Sequence, residues 1–250
     1  MKEVKAMNFF DCHASYGPTK TLLELPVPKA LVAQMERVGI SRALVYHGAA
    51  VDGYPLEANE RLIAELESYP QLVPARVLLP PQTGEWDLES FPSKMKKCKV
   101  RALWAFPKEH NYLLNKVAMG PVLEEMVART IPLFVKAEGN WELIYSLLAD
   151  FPQLTLVAAG HGPWGRDRYF RPLLERYPNF YIDTANYELD WGLAFLCSKY
   201  GHERILFGTN TPHRAAGGPL LTLLHAPISD AAKRAIAAGN LERLLGEVKL

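Results

Sequence analysis

Only three of the 250 residues are cysteines, Cys12, Cys98 and Cys197. An odd number without framework spacing does not build a disulfide scaffold and suits a reducing compartment, so a cytoplasmic protein is expected. Charge of one sign is also scarce. Lys and Arg total 28 against 27 Asp and Glu, for a formal net charge of +1. A protein that tracks phosphate backbones needs a basic surplus, so no nucleic-acid partner is expected. No apolar run approaches the length of a membrane span, so no membrane partner is expected either. The opening MKEVKAMNFFDCHAS lacks an apolar h-region and a small-residue cleavage site, which predicts no secretory leader. Linkers and low-complexity segments are absent.

Hydrophobic residues make up 49% of the chain, enough for a packed core. Short β-branched or aromatic runs alternate with amphipathic stretches. The runs predict strands over Asn8–Cys12, Ala43–Tyr46, Val73–Leu78, Arg101–Trp104, Leu133–Val135, Leu154–Ala158, Phe180–Ile182 and Ile205–Phe207. The stretches predict helices over Pro28–Val38, Glu57–Ser68, Pro121–Arg129, Glu142–Asp150, Arg168–Arg176, Leu189–Tyr200 and Asp230–Leu245. Alternating strands and helices give a parallel sheet covered on both faces. Eight such units in this length predict a single (β/α)8 TIM barrel spanning residues 1–250. One joint recurs. Tyr69-Pro70, Phe151-Pro152 and Tyr177-Pro178 each follow a helical stretch and precede a strand, where proline disfavours helical geometry in the residue before it. The longest non-periodic stretch, Pro80 to Phe91, follows the third strand and would lie over the active face.

In such a barrel the site lies at the carboxyl ends of the strands. The first strand ends Asp11-Cys12-His13-Ala14-Ser15 and the second Tyr46-His47-Gly48. Arg76 lies on the third, and Trp104-Ala105-Phe106 end the fourth. The fifth ends Lys136-Ala137-Glu138-Gly139 and the sixth Gly160-His161-Gly162-Pro163-Trp164. The seventh ends Asp183-Thr184-Ala185-Asn186 and the eighth Gly208-Thr209-Asn210-Thr211-Pro212-His213. Ionisable groups gathered at the tips of apolar strands are a signal of function.

These tips resemble the amidohydrolase superfamily, in particular the amidohydrolase-2 type that includes aminocarboxymuconate-semialdehyde decarboxylase-like enzymes. FFDCHAS is similar to the Asp-x-His-x-His opening of that family, and RILFGTNTPH to its Gly-Thr-Asp-x-Pro segment. Phe151 to Gly162 resembles the joint that ends His-x-Gly, and AAGNLERLL the last helix. The resemblance implies a divalent metal, such as zinc, held by two strand-one histidines, histidines at the tips of strands five and six, and a strand-eight aspartate. His13 matches the first of these, with Ser15 at the second position and Lys136 at the third. Gly160 takes the fourth with His161 displaced by one, and Asn210 takes the fifth. A neutral amide cannot serve as a general base. One clear ligand of five points to a largely lost metal site.

For each candidate a structural role stands beside the chemical one. His13 is a metal ligand or a histidine hydrogen-bonded at the mouth. His161 needs a bulge at Gly160 or Gly162 to face inward, since a one-residue shift reverses a strand side chain. Lys136 either replaces the metal's charge or forms an ion pair with Glu138, Asp11 or Asp183, and alternation places Glu138 on its side of the strand. Lys136, Glu138 and Asp183 are the catalytic candidates, although Asp183 also suits a turn. Arg76, Trp104, Trp164, Asn210 and His213 are the substrate-binding candidates. Trp104, Phe106, Trp164, Tyr169 and Tyr187 either wall a pocket or pack between barrel and helices. His47 and His110 have no spacing that argues for a role, and Cys12 reads as a buried small hydrophobe.

Three functions remain open. One is an amidohydrolase-like hydrolase, or decarboxylase-like lyase, acting on a small carboxylated or cyclic substrate. Another is a non-catalytic barrel that binds a small molecule or a partner protein. The third is an enzyme whose metal site is rebuilt from His13, Glu138 and His161. A homo-oligomer is compatible with each.

Overall fold

The computed structural model describes residues 7–20, 25, 27–83, 88–162, 166–187, 189 and 191–250. The opening six residues, Gly84 and Trp164 lie outside that set. Eight parallel strands follow one another around a barrel. They are β1 (Phe10–Tyr16), β2 (Arg42–His47), β3 (Leu72–Pro74, resumed at Arg76–Val77), β4 (Leu103–Ala105), β5 (Leu133–Lys136), β6 (Leu156–Ala159), β7 (Phe180–Asp183) and β8 (Ile205–Leu206). Closure runs from β1 to the segment after β8. Cys12 N–H donates to Phe207 O (2.8 Å), Ser15 N–H to Thr211 O (2.8 Å) and Asn210 N–H to His13 O (2.7 Å). The barrel expected from alternation is therefore closed, with no free sheet edge among the described residues.

Two apolar layers follow from strand alternation. Phe10, Cys12, Leu44, Tyr46, Val77, Trp104, Phe134, Val157, Tyr181 and Leu206 fill the interior. Their neighbours Ala14, Val45, Leu103, Val135, Ala158, Ile182 and Phe207 pack outward against the helices. In β1 the register slips between Asp11 and Ala14 relative to Ala43 and Val45, a one-residue bulge. The bulge puts Ala14 and Tyr16 in the outer layer although Cys12 lies in the inner one. His13 and Ser15 are thereby turned inward.

The aromatic-proline joints make the same turn three times. Leu72, Leu154 and Phe180, each at or near a strand start, donate their N–H to the carbonyls of Tyr69 (2.9 Å), Phe151 (3.0 Å) and Tyr177 (3.2 Å). Several elements depart from expectation. The third strand breaks at Ala75, next to Pro74, which has no N–H to give the ladder. Helices at Ala49–Asp52, Phe91–Lys97 and Gly217–His225 were not expected from periodicity, and the closing helix carries a π turn at Ala235–Gly239. The Gly217–His225 helix opens Gly-Gly-Pro and is nearly all apolar after that, so it has no polar face to mark a period.

At the strand break a side chain replaces a partner strand. Asn59, on the Pro55–Leu66 helix, donates Nδ2–H to Val77 O and accepts from Val77 N–H through Oδ1, both at 2.9 Å. Asn59→Ala strands two buried backbone groups at about 1–3 kcal/mol each. A loss of about 3 kcal/mol is expected in urea unfolding, with an unchanged m-value showing that the folded state keeps its extent.

Candidate functional site at the barrel mouth

The interior beneath the mouth is aromatic. Trp104 stacks on Phe106 (5.7 Å between ring centres) and Phe134 (5.1 Å) and meets Tyr46 at 5.0 Å and His13 at 4.8 Å. Trp104 is fully buried and fills the barrel, so the expectation that it touches substrate is not matched by its place.

His13 and Asp183 form a buried pair above this floor, with His13 Nδ1 2.8 Å from Asp183 Oδ2. A carboxylate only accepts, so Nδ1 carries a proton. Nε2 is buried and has no hydrogen-bond partner. The other Asp183 oxygen accepts the Gly160 N–H at 2.8 Å. Gly160 is left-handed, φ +61, and a Cβ there would lie 3.4 Å from His13 Cε1. Glycine thus permits both the turn and the approach of the ring.

Asp11 ties β1 to the loop after β8. Oδ1 accepts from His13 N–H (2.9 Å) and Thr209 N–H (3.0 Å), and Oδ2 from the Thr209 hydroxyl (2.5 Å). Burial raises its pKa to about 6 against the pull of these bonds. Burial also raises the Cys12 thiol, helped by Asp183 and Asp11, so it stays protonated and apolar in behaviour.

Lys136 ends β5 on the same face as Phe134, and its Nζ lies 5.4 Å from the centre of the Phe106 ring. It opens into a cleft of about 200 Å3 lined by Thr19, Tyr46, Val51, Asp52, Glu109, Lys136 and His213. Among the described residues no carboxylate comes within ion-pair distance of its ammonium, against the expectation of a bond to Glu138, Asp11 or Asp183. Asp11 and Asp183 are engaged as described. Glu138 points out, 77% exposed, 3.9 Å from Arg166, because β5 ends at Lys136 and alternation does not reach it.

Other candidates also stand elsewhere. Arg76 alternates outward between Ala75 and Val77 and pairs with Glu60 on the helix side at 2.8 Å. His161 lies between barrel and helices against Phe170 and Tyr187, its nitrogens 3.1 Å from Gly162 O and 2.9 Å from Asp183 O. It is turned away from His13. Asn210 adopts φ +59 and contributes its backbone, while His213 lines the cleft. Asp52, Glu109 and Thr19 were not singled out from sequence. Asp52 closes a short helix that periodicity did not show, although Glu109 lies only three residues past the Phe106 tip.

Burial lowers the pKa of His47, His110, His161 and His213 below the ordinary histidine value. Each stays neutral in the fold and takes up a proton on unfolding, so its contribution is present above pH 6.5 and lost as pH falls below it. Asp11, with a raised pKa, acts oppositely between its unfolded value near 4 and its folded value of about 6. Four groups against one predict that unfolding free energy declines from pH 7 to pH 5. Urea titrations across that range measure it, and a rise would reverse the assignment.

A family profile described as Amidohydrolase matches residues 10–246. No curated protein matches the chain. An uncharacterised TIM-barrel protein from Bordetella bronchiseptica superposes with a TM-score of 0.72 at 19% identity, over 96% of this chain and 99% of that one. The 5-carboxyvanillate decarboxylase of Sphingomonas paucimobilis gives 0.71 at 14% identity, over 97% and 100%. A dihydroxybenzoic acid decarboxylase from Polaromonas sp. JS666, with bound manganese and the inhibitor 2-nitroresorcinol, gives 0.73 at 16%, over 96% and 97%. These likenesses show the TIM-barrel fold. Among the described residues no helix is long and apolar enough to cross a membrane.

The donor set does not suit the metal that the resemblance implies. His13 alone has the required form, an imidazole with a carboxylate behind it and a bare Nε2. No group of three or more His, Cys, Asp or Glu that could hold a metal ion occurs among the described residues. A zinc site takes three or four such ligands.

Proposed function

We propose that this chain, which belongs to the amidohydrolase family, binds a small carboxylated, cyclic or aromatic substrate at the barrel mouth and acts on it as a hydrolase or decarboxylase-like lyase. The supporting observation is Lys136. Its ammonium stands at the position that the family resemblance gives to a metal-binding histidine, opens into the cleft and has no carboxylate within ion-pair distance among the described residues. A half-buried ammonium is costly without a counter-charge, and a substrate carboxylate supplies one. The solved decarboxylases of the same fold act on aromatic acids, which suits a cleft floored by Tyr46 above Trp104 and Phe106.

In this reading Lys136 anchors the carboxylate and stabilises negative charge that develops beside it. Proton transfer falls to His13 Nε2, with Asp183 holding the ring in position, in place of the outward Glu138. The metal site of the family is largely lost. One observation favours a second reading, binding without turnover: His13 Nε2 is closed off from solvent.

The test is a panel of 5-carboxyvanillate, dihydroxybenzoates and small cyclic lactones, followed by calorimetric titration, carbon dioxide release and ring opening. Binding with turnover supports the enzyme, and binding without turnover supports the second reading. If none of the carboxylates binds at millimolar concentration, the carboxylate site is wrong.

A further inference from the structure

The mouth cleft is lined by charges of both signs. Lys136 and His213 are its basic groups: the His213 pKa is lowered first by burial, then by Lys136 and His13, against an opposite pull from Asp52. Asp52 and Glu109 are its acidic groups. Both carboxylates push up the Tyr46 phenol, which burial carries to about 12, and both act on His110. The four come from different strand tips, Lys136 from β5 and His213 from the loop after β8, Asp52 from the helix after β2 and Glu109 from the loop after β4.

Among the described residues no ion pair joins Lys136 to Asp52 or Glu109, although all three line the same cleft. Asp52 accepts the Lys20 backbone N–H at 2.9 Å and acts electrostatically on His110 and His213. A site built for a carboxylate alone gains nothing from two further carboxylates, which repel it and cost affinity. A positive group on the same ligand would turn that repulsion into attraction.

Resting on the carboxylate reading above, we infer that the cleft recognises a small zwitterion, with a carboxylate toward Lys136 and His213 and an ammonium toward Asp52 and Glu109. The volume of about 200 Å3 is below the roughly 300–1,000 Å3 of drug-sized pockets, which limits the ligand to about one ring with its two charged arms. Tyr46 lines the same cleft and offers an aromatic wall against that ring.

Matched probes separate this inference from the reading beneath it. The 3- and 4-(aminomethyl)benzoates carry both charges, 3- and 4-methylbenzoate carry the acid alone, and 4-methylbenzylamine carries the amine alone. Calorimetric titration at low salt is expected to show at least one zwitterion binding about tenfold or more tighter than its methyl counterpart. The amine alone should bind more weakly than that zwitterion. In an Asp52→Asn, Glu109→Gln double variant the advantage should collapse, with the plain acid bound no more weakly than before. Circular dichroism checks that the variant is folded, and an Asp52→Asn single variant should lose part of the advantage. If the methylbenzoates bind as tightly as both zwitterions, the inference is overturned while the carboxylate site stands. If neither acid nor zwitterion binds, both fall.

Discussion

Asp183→Ala is expected to be the most damaging single substitution at the mouth. It removes the acceptor for two buried donors at once, His13 Nδ1–H and the Gly160 N–H, each now 2.8 Å from a carboxylate oxygen. Breaking a buried pair on one side typically costs about 3–5 kcal/mol, because the remaining group is left desolvated. For a chain of this length that corresponds to a drop in Tm on the order of 10 °C. Asp183→Asn should cost less. Its carbonyl still serves the Gly160 N–H, leaving only the amide facing the imidazole. Thermal and urea unfolding of both variants measure the order. Equal effects from Ala and Asn would show that the Gly160 bond contributes little, and a neutral Asp183→Ala would remove the pair from the account.

Lys136→Met carries the second large effect, on binding rather than on stability. Methionine keeps much of the stem volume against Phe106 and discards the charge. A charge-assisted hydrogen bond contributes about 1.5–3 kcal/mol, so affinity for an aromatic carboxylate should fall about 10- to 100-fold. Stability should change little or rise, since no partner carboxylate is orphaned among the described residues and a half-buried ammonium is removed. A folded variant with full affinity would show that the carboxylate sits elsewhere. Loss of several kcal/mol of stability would instead reveal a structural role for Lys136.

These two residues show how far the site could be read before its geometry was known. The place of Lys136 follows from alternation, since Phe134 faces inward and Lys136 shares its face. Alternation also places Arg76 toward the helices, between inward Ala75 and Val77, but its face follows only once the break after Pro74 is known. Glu138 was misplaced for the opposite reason. The strand stops at Lys136, and Gly139 at φ +74 turns the chain, so a period of two no longer applies. His13 depends on the β1 bulge, a backbone feature that no side-chain pattern encodes. The barrel was legible because it rests on eight repeated apolar runs and three identical turns. The carboxylates of the cleft were not, because Asp52 and Glu109 come from separate βα connections that only the closed barrel brings together.

Lys136, and not a bound divalent metal, gives the mouth its affinity for a carboxylate in this account. The most direct measurement is a calorimetric titration of 5-carboxyvanillate into chelator-treated protein, then into the same protein supplied with manganese, with metal content determined by mass spectrometry. The expected result is the same affinity in both, metal well below one ion per chain, and loss of binding in Lys136→Met. One tightly held metal per chain, with binding that disappears on chelation, returns with manganese and is indifferent to Lys136→Met, would contradict it.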